Sequence, residues 1–297
     1  MSDGSRTSRM RRTSVWLEER PGARRRALGA GHTEGLDRAK ITAAAVRLLD
    51  AEGPAGFSMR RLAAELGVTA MSVYWYVDRK DDLLELALDA VEGELDVPDA
   101  AAEGADWREQ VRQSATALRG LLKRHPWASG MLGSFLNVGP SATAFQLGVR
   151  RVLLRSGLPG EQADGALTSL FSFVYGHAAV EASWLSRCGE AGVSSEDCLH
   201  ALRDTLERRP EYAAGGEAVR PLEQRDFGVA LECVIVGIEA MARAASAATA
   251  AASTAASDTD GASDREGADA PVHTERGAVP KDRPAPVIPA QSAPGDG

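Results

Sequence analysis

The chain has 297 residues, enough for one or two domains with sizeable cores, and a formal net charge of −8. Three cysteines with no Cys-x-x-Cys pair argue against a disulfide scaffold or a zinc site, and suggest reduced thiols in a cytoplasmic protein. No apolar segment follows the basic start as in a secretory signal, and no run of about 20 apolar residues could span a membrane.

The charge is unevenly spread. Residues 1–40 hold nine Arg and one Lys against five acids, and residues 1–95 balance at fifteen of each sign, so the whole acidic excess falls later. A nucleic-acid partner would therefore meet a local basic face, with an acidic body held away from phosphate. Residues 1–35 read as a disordered basic arm without helical period beyond Val15-Trp16-Leu17. Its clusters Arg9-Met10-Arg11-Arg12 and Arg24-Arg25-Arg26 either lie along a minor groove or supply non-specific attraction only.

Residues 36–95 read as four helices. Ile41, Ala45, Leu48 and Leu49 mark one over Arg38–Glu52, closed by Gly53-Pro54. Met59, Leu62, Ala63 and Leu66 give a second over 58–65, with Ser58 as N-cap and Gly67 as the left-handed exit. A third spans about Thr69 to Val77, with Val73 and Val77 inward. Asp78 and Asp81 read as a capping pair for the fourth, which turns Leu83, Leu84, Ala87, Leu88 and Val91 inward. Two short helices at a tight turn form a helix-turn-helix, whose second helix suits a DNA major groove.

The run Leu36–Leu95, about a fifth of the chain, resembles the DNA-binding domain of the tetracycline-repressor (TetR) family of bacterial regulators. The resemblance rests on AAAVRLLDAEG, on Phe57 through Ala63, on Leu66-Gly67-Val68, on Val73 through Val77 and on Lys80 through Leu84. It implies that Thr69, Ala70, Met71 and Ser72 open the recognition helix, the first and last as polar contacts and the middle two as apolar ones. Tyr74, Trp75 and Tyr76 match the family's aromatic positions, the first and third facing phosphates; Trp75 reads equally as packing. Met59 and Met71 read equally as core. Arg60 and Lys80 match backbone-contacting positions, which fix orientation without reading sequence.

From Asp96 the chain reads as a linker through Gly104, then a helix opened by an Asp106/Glu109 capping box and running to His125-Pro126. Further helices are expected over Pro126–Asn137, Ser141–Ser156, Gln162–Arg187, Ser194–Arg209 and Asp226–Ala248. The fold is thus expected to be all-α, with an effector-binding and dimerisation domain over 96–248 and a disordered tail over 249–297. Residues 227–241, FGVALECVIVGIEAM, are apolar nearly all round except at Glu232 and Glu239, so more than one side needs cover. The resemblance implies that the helices near 162–187 and 226–248 pair with their symmetry mates in a homodimer that reads a palindromic operator.

Trp127, Phe135, Phe145, Phe173, His177, Glu181 and Trp184 are the candidate ligand-binding residues, with His177 and Glu181 on one helix face for a polar group. The family's tetracycline binders use a histidine where this chain reads Met131-Leu132-Gly133-Ser134, so a largely apolar effector fits better, with no cofactor or metal. The resemblance further implies that a ligand moves the helix 82–94 and so resets the recognition helices. No phosphate loop or nucleophile elbow points to an enzyme. The remaining alternative is a sequence-neutral architectural DNA-binding protein.

Overall fold

The structure, a computed structural model, describes residues 14–17, 35–131, 134–209 and 227–260. Both arginine clusters of the arm lie outside them. Among the described residues ten helices follow in order: α1 Arg38–Gly56, α2 Met59–Glu65, α3 Ala70–Tyr74, α4 Lys80–Glu92, α5 Trp107–Arg124, α6 Pro126–Met131, α7 Pro140–Leu154, α8 Gly160–Glu190, α9 Ser195–Glu207 and α10 Phe227–Asp260. No strand occurs among the described residues, so the fold is all-α. The chain divides into two units, Met1–Ala250 and Ala251–Gly297. Of the second, only residues 251–260 are described, and they are helical.

The first three helices stop where local chemistry stops them. Asp37 caps α1 by accepting from Lys40 N, and Gly53 at φ +67° breaks its regular run before Pro54. Ser58 caps α2 by accepting from Arg61 N. Gly67, also at φ +67°, closes α2 with Val68 N donating to Ala63 O at 2.9 Å and Gly67 N to Ala64 O at 3.1 Å, the paired bonds of a Schellman end. α3 is shorter than expected: Thr69 is its cap and not its first turn, and Tyr74 is its last residue. Val73 and Val77 are fully buried, as their spacing requires.

α4 lies at the centre, packed on α1 and on α7. Arg79, and not Asp78, stands at the N-cap, without a side-chain cap bond of its own, and Asp82 pairs with Arg79 at 2.5 Å. Every residue from Asp82 to Asp89 is buried, acids included. Asp89 Oδ1 accepts from Ser141 N at 2.9 Å and Ala142 N at 3.1 Å, capping α7 from another helix. A side chain at Gly139 would collide with Asp89, so glycine there permits the close approach.

Glu85 receives the arm. Ser14 Oγ donates to Glu85 Oε2 at 2.5 Å and Val15 N to the same oxygen at 3.1 Å. Ser14 and Val15 are buried, and Trp16 packs on the core. The arm is therefore anchored at the apolar trio where disorder was expected, because two hydrogen bonds to a buried carboxylate together with burial of Val15 and packing of Trp16 offset the entropy of ordering four residues. Ser14→Ala is expected to lower stability by about 2 kcal/mol, the scale of a hydrogen bond to a charged group. Urea denaturation at neutral pH checks this, and an unchanged midpoint would show that the Ser14 hydroxyl bond adds nothing.

In the body, Asp106 caps α5 by accepting from Arg108 N. Glu109, expected as the other half of a capping box, turns to Arg112 and Gln113. α6 stops at Met131, short of the expected Asn137. α8 packs on α5, α6, α7 and α9. α10 turns Phe227, Leu231, Ile235, Ile238 and Ala242 inward. Its two interrupting acids are paired to α5: Glu232 with Arg112, and Glu239 with Arg108 at 2.5 Å. α10 continues past Ala248 to Asp260 through an alanine-rich run with high helix propensity.

Candidate DNA-reading face and effector cavity

α3 is held by its buried valines and offers its other side to solvent. Met71 is 68% exposed, Trp75 49% and Tyr74 39%. Large apolar side chains left out of a core on so short a helix mark a contact surface. Met59, by contrast, is core at 7%, which separates the two methionines that spacing left equal. Thr69 Oγ1 accepts from Ser72 N at 3.2 Å and lies 2.9 Å from Ser72 Oγ. The two hydroxyls are thus partners of each other and cap the helix. Ala70 and Tyr76 are half-buried against the core.

Arg60 is exposed. Lys80 Nζ donates to Phe57 O at 3.1 Å and lies 5.4 Å from the Phe57 ring centroid, stapling the start of α4 to that of α2 while remaining exposed. Arg61 is tied to Glu52 at 2.5 Å.

The expected ligand-binding residues divide. Phe173, His177, Glu181 and Trp184 line one cavity of about 390 Å³ between α8 and α9, with Leu199 and Leu202 on the opposite wall. Trp127 and Phe145 do not reach it. The Trp127 indole is buried and donates to Asp50 at 2.7 Å, beside His125, whose Nδ1 shares that oxygen at 2.7 Å. Together they lock α6 to α1. Phe145 is buried on α7 and stacks on Phe171 at 6.1 Å. Phe135 is half-buried against the core and is not among the lining residues. Aromatic composition alone could not separate core from cavity, since both need large apolar rings.

Glu181 is buried at the cavity wall. Its oxygens take Arg119 at 3.0 and 3.2 Å and Lys123 at 3.0 Å. Burial pushes its carboxyl up, but Lys123 and Arg119 outweigh that and hold it below the usual range. His177 sits 3.9 Å from Glu181. Burial, then Arg119, push its imidazole below the ordinary value, against the pull of Glu181. The leucines of α9 and the two α5 cations were missed by the sequence reading, which had no signal for which helices would face α8.

A second buried group joins α4 to the body. Glu92 accepts from Asn137 Nδ2 at 2.7 Å, while its other oxygen is buried without a hydrogen-bond partner. Burial, against that hydrogen bond and with Asp89 adding, pushes its carboxyl up to about 7.

Among the described residues no group of three or more His, Cys, Asp or Glu is placed to hold a metal ion, and no helix is long and apolar enough to cross a membrane.

Comparison with known proteins agrees with this geometry. Residues 41–87 match the family described as bacterial regulatory proteins, tetR family, and residues 100–242 match the tetracyclin repressor-like C-terminal domain. An HTH-type transcriptional regulator of Saccharopolyspora erythraea is 34% identical over 207 residues, 70% of this chain and 86% of that one. The HTH-type transcriptional repressor DrrR1 of Streptomyces coeruleorubidus is 32% identical over 224 residues, 73% and 82% of the two chains. Among solved structures, the TetR family protein ActR of Streptomyces coelicolor in complex with actinorhodin is 28% identical, with a TM-score of 0.58 over 70% of this chain and 98% of that one.

Proposed function

The chain belongs to the TetR family of bacterial transcriptional regulators, and from that premise we propose that it is a repressor binding a palindromic operator as a homodimer and released by a small, largely apolar ligand. The observation that carries the reading is the pairing of a fully buried Val73 and Val77 with an exposed Met71, Tyr74 and Trp75 on α3 and the turn that follows it. Such a helix is fixed from below and offers apolar and aromatic contacts above, fit for thymine methyls and phosphates. Two copies about 34 Å apart read a two-fold site. Arg60 and Lys80 lie exposed beside α3 and supply the phosphate contacts.

The relatives support both halves: one is called a repressor, and ActR has been solved with actinorhodin bound. The apolar cavity on α8 is the effector site, its Phe173, His177, Glu181 and Trp184 touching the ligand. Release requires that the ligand prefer the arrangement that does not fit DNA. α4, wedged between α1 and α7, is the element that carries the difference.

The test is selection of DNA from a random pool by the full chain at fixed near-physiological salt. The expected result is an enriched palindrome whose binding Met71→Glu weakens at least about tenfold, since an acid would meet base-edge acceptors and phosphate. Binding without enrichment, lost as salt rises, would favour the architectural reading instead.

A further inference from the structure

The α8 cavity makes demands on its occupant that apolar walls alone do not. Phe173, His177, Glu181 and Trp184 succeed one another at helical intervals and share one face of α8. Two atoms on that face, His177 Nδ1 and Trp184 Nε1, are buried and lack a hydrogen-bond partner. Buried polar atoms of this kind are rarely left unpaired. An indole N–H can only donate, so what satisfies Trp184 must accept.

The charge around the cavity points the same way. Both oxygens of Glu181 are engaged by Arg119, and Lys123 joins one of them. One carboxylate therefore faces two cations, and His177 beside it is held neutral by burial and by those cations. A basic ligand would find a positive surplus and no free carboxylate; an acidic or neutral one would not be opposed. His177 and Trp184 are two turns apart, roughly 10 Å along the axis. An occupant meeting both must be elongated.

Building on the effector role given above, we propose that the cavity takes an elongated aromatic molecule, neutral or acidic, with an oxygen acceptor on the Trp184 indole N–H and a second polar group against His177. The polar ends select among apolar molecules, because a ligand lacking them leaves both atoms unpaired. A second protein chain packing an apolar helix there would leave the same two atoms unsatisfied.

The test uses the full chain and three probes in calorimetric titration: hydroxynaphthoate, naphthalene and aminomethylnaphthalene. Hydroxynaphthoate is expected to bind at least tenfold more tightly than naphthalene, and the cationic amine more weakly than either. Trp184→Phe keeps the ring but loses the donor. It should reduce hydroxynaphthoate affinity about tenfold and leave naphthalene unchanged. Gly176→Phe locates the site, since a Cβ at Gly176 meets nothing within 4 Å and the ring would fill the cavity. It should abolish binding of every probe. If Gly176→Phe abolishes binding but Trp184→Phe and His177→Phe leave the preference unchanged, the polar selection is overturned while the cavity remains the effector site. If no probe binds, or Gly176→Phe has no effect, the effector reading of the cavity fails with it.

Discussion

Glu92→Gln is expected to stabilise the protein at pH 8 by about 3 kcal/mol and to change little below pH 4.5. Glu92 is 4% exposed at the end of α4, and its carboxyl is pushed up to about 7 from an ordinary 4.5. Burial is the main cause; the Asn137 hydrogen bond works against it and Asp89 adds to it. Asp89 faces Glu92 one helical turn earlier and accepts from Ser141 N and Ala142 N at the start of α7. From α8, Tyr175 approaches the same group and shares Asn137 with it. Burial first, then the Glu92 charge, pushes the tyrosine hydroxyl upward.

Because the folded state holds the Glu92 proton more tightly than the unfolded chain, this group's contribution is full below about pH 4.5. It is lost as pH rises through about 7, where the folded carboxyl finally ionises. Glutamine keeps the oxygen that Asn137 donates to and never ionises, so the variant should lose this slope. Urea midpoints at pH 5, 7 and 8 separate the two proteins. Parallel curves would show that Glu92 is already ionised at low pH, and hence solvated in a way its burial denies.

What could be read in the sequence followed from local rules. The Ser58 cap, the Gly67 exit and the buried Val73 and Val77 depend on residues within one turn of each other, and each stands in the structure. Competition from other side chains decided the differences. Glu109 was taken by Arg112 one turn on, so the expected Asp106/Glu109 capping box did not close. Asp50 claimed the Trp127 indole, which removed it from the effector set. Nothing within a few residues of Glu85 announces Ser14, seventy-one positions away. The cavity was half legible for the same reason: i, i+4 spacing placed His177 and Glu181 together, but Arg119, Lys123 and the α9 leucines arrive from other helices.

The double variant Cys233→Glu/Val236→Glu is expected to give a folded monomer and to weaken operator binding by at least about a hundredfold. α10 has two apolar stripes. Phe227, Leu231, Ile235, Ile238 and Ala242 face the body and are buried. Val229, Cys233 and Val236 recur at i, i+4, i+7 on another side, with Val229 62% and Val236 53% exposed. On α8, Leu185 is 39% exposed, whereas Val180 lines the cavity. Two neighbouring helices with apolar residues facing out are what an isologous interface uses, each helix meeting its symmetry mate. Two carboxylates per chain at its centre would be desolvated against their own images, which like charge and burial both oppose. Since the substituted side chains lie off the core stripe, helicity and urea midpoint at high dilution should hold. Joining two half-site contacts raises affinity about 10²–10⁴-fold without any new contact, and that gain is what a monomer forfeits. Sedimentation velocity and operator titration give the two readouts. A variant that stays dimeric with unchanged affinity would place the interface off this face of α10, and loss of affinity without loss of the dimer would mean that the interface sets the spacing of the recognition helices and not their number.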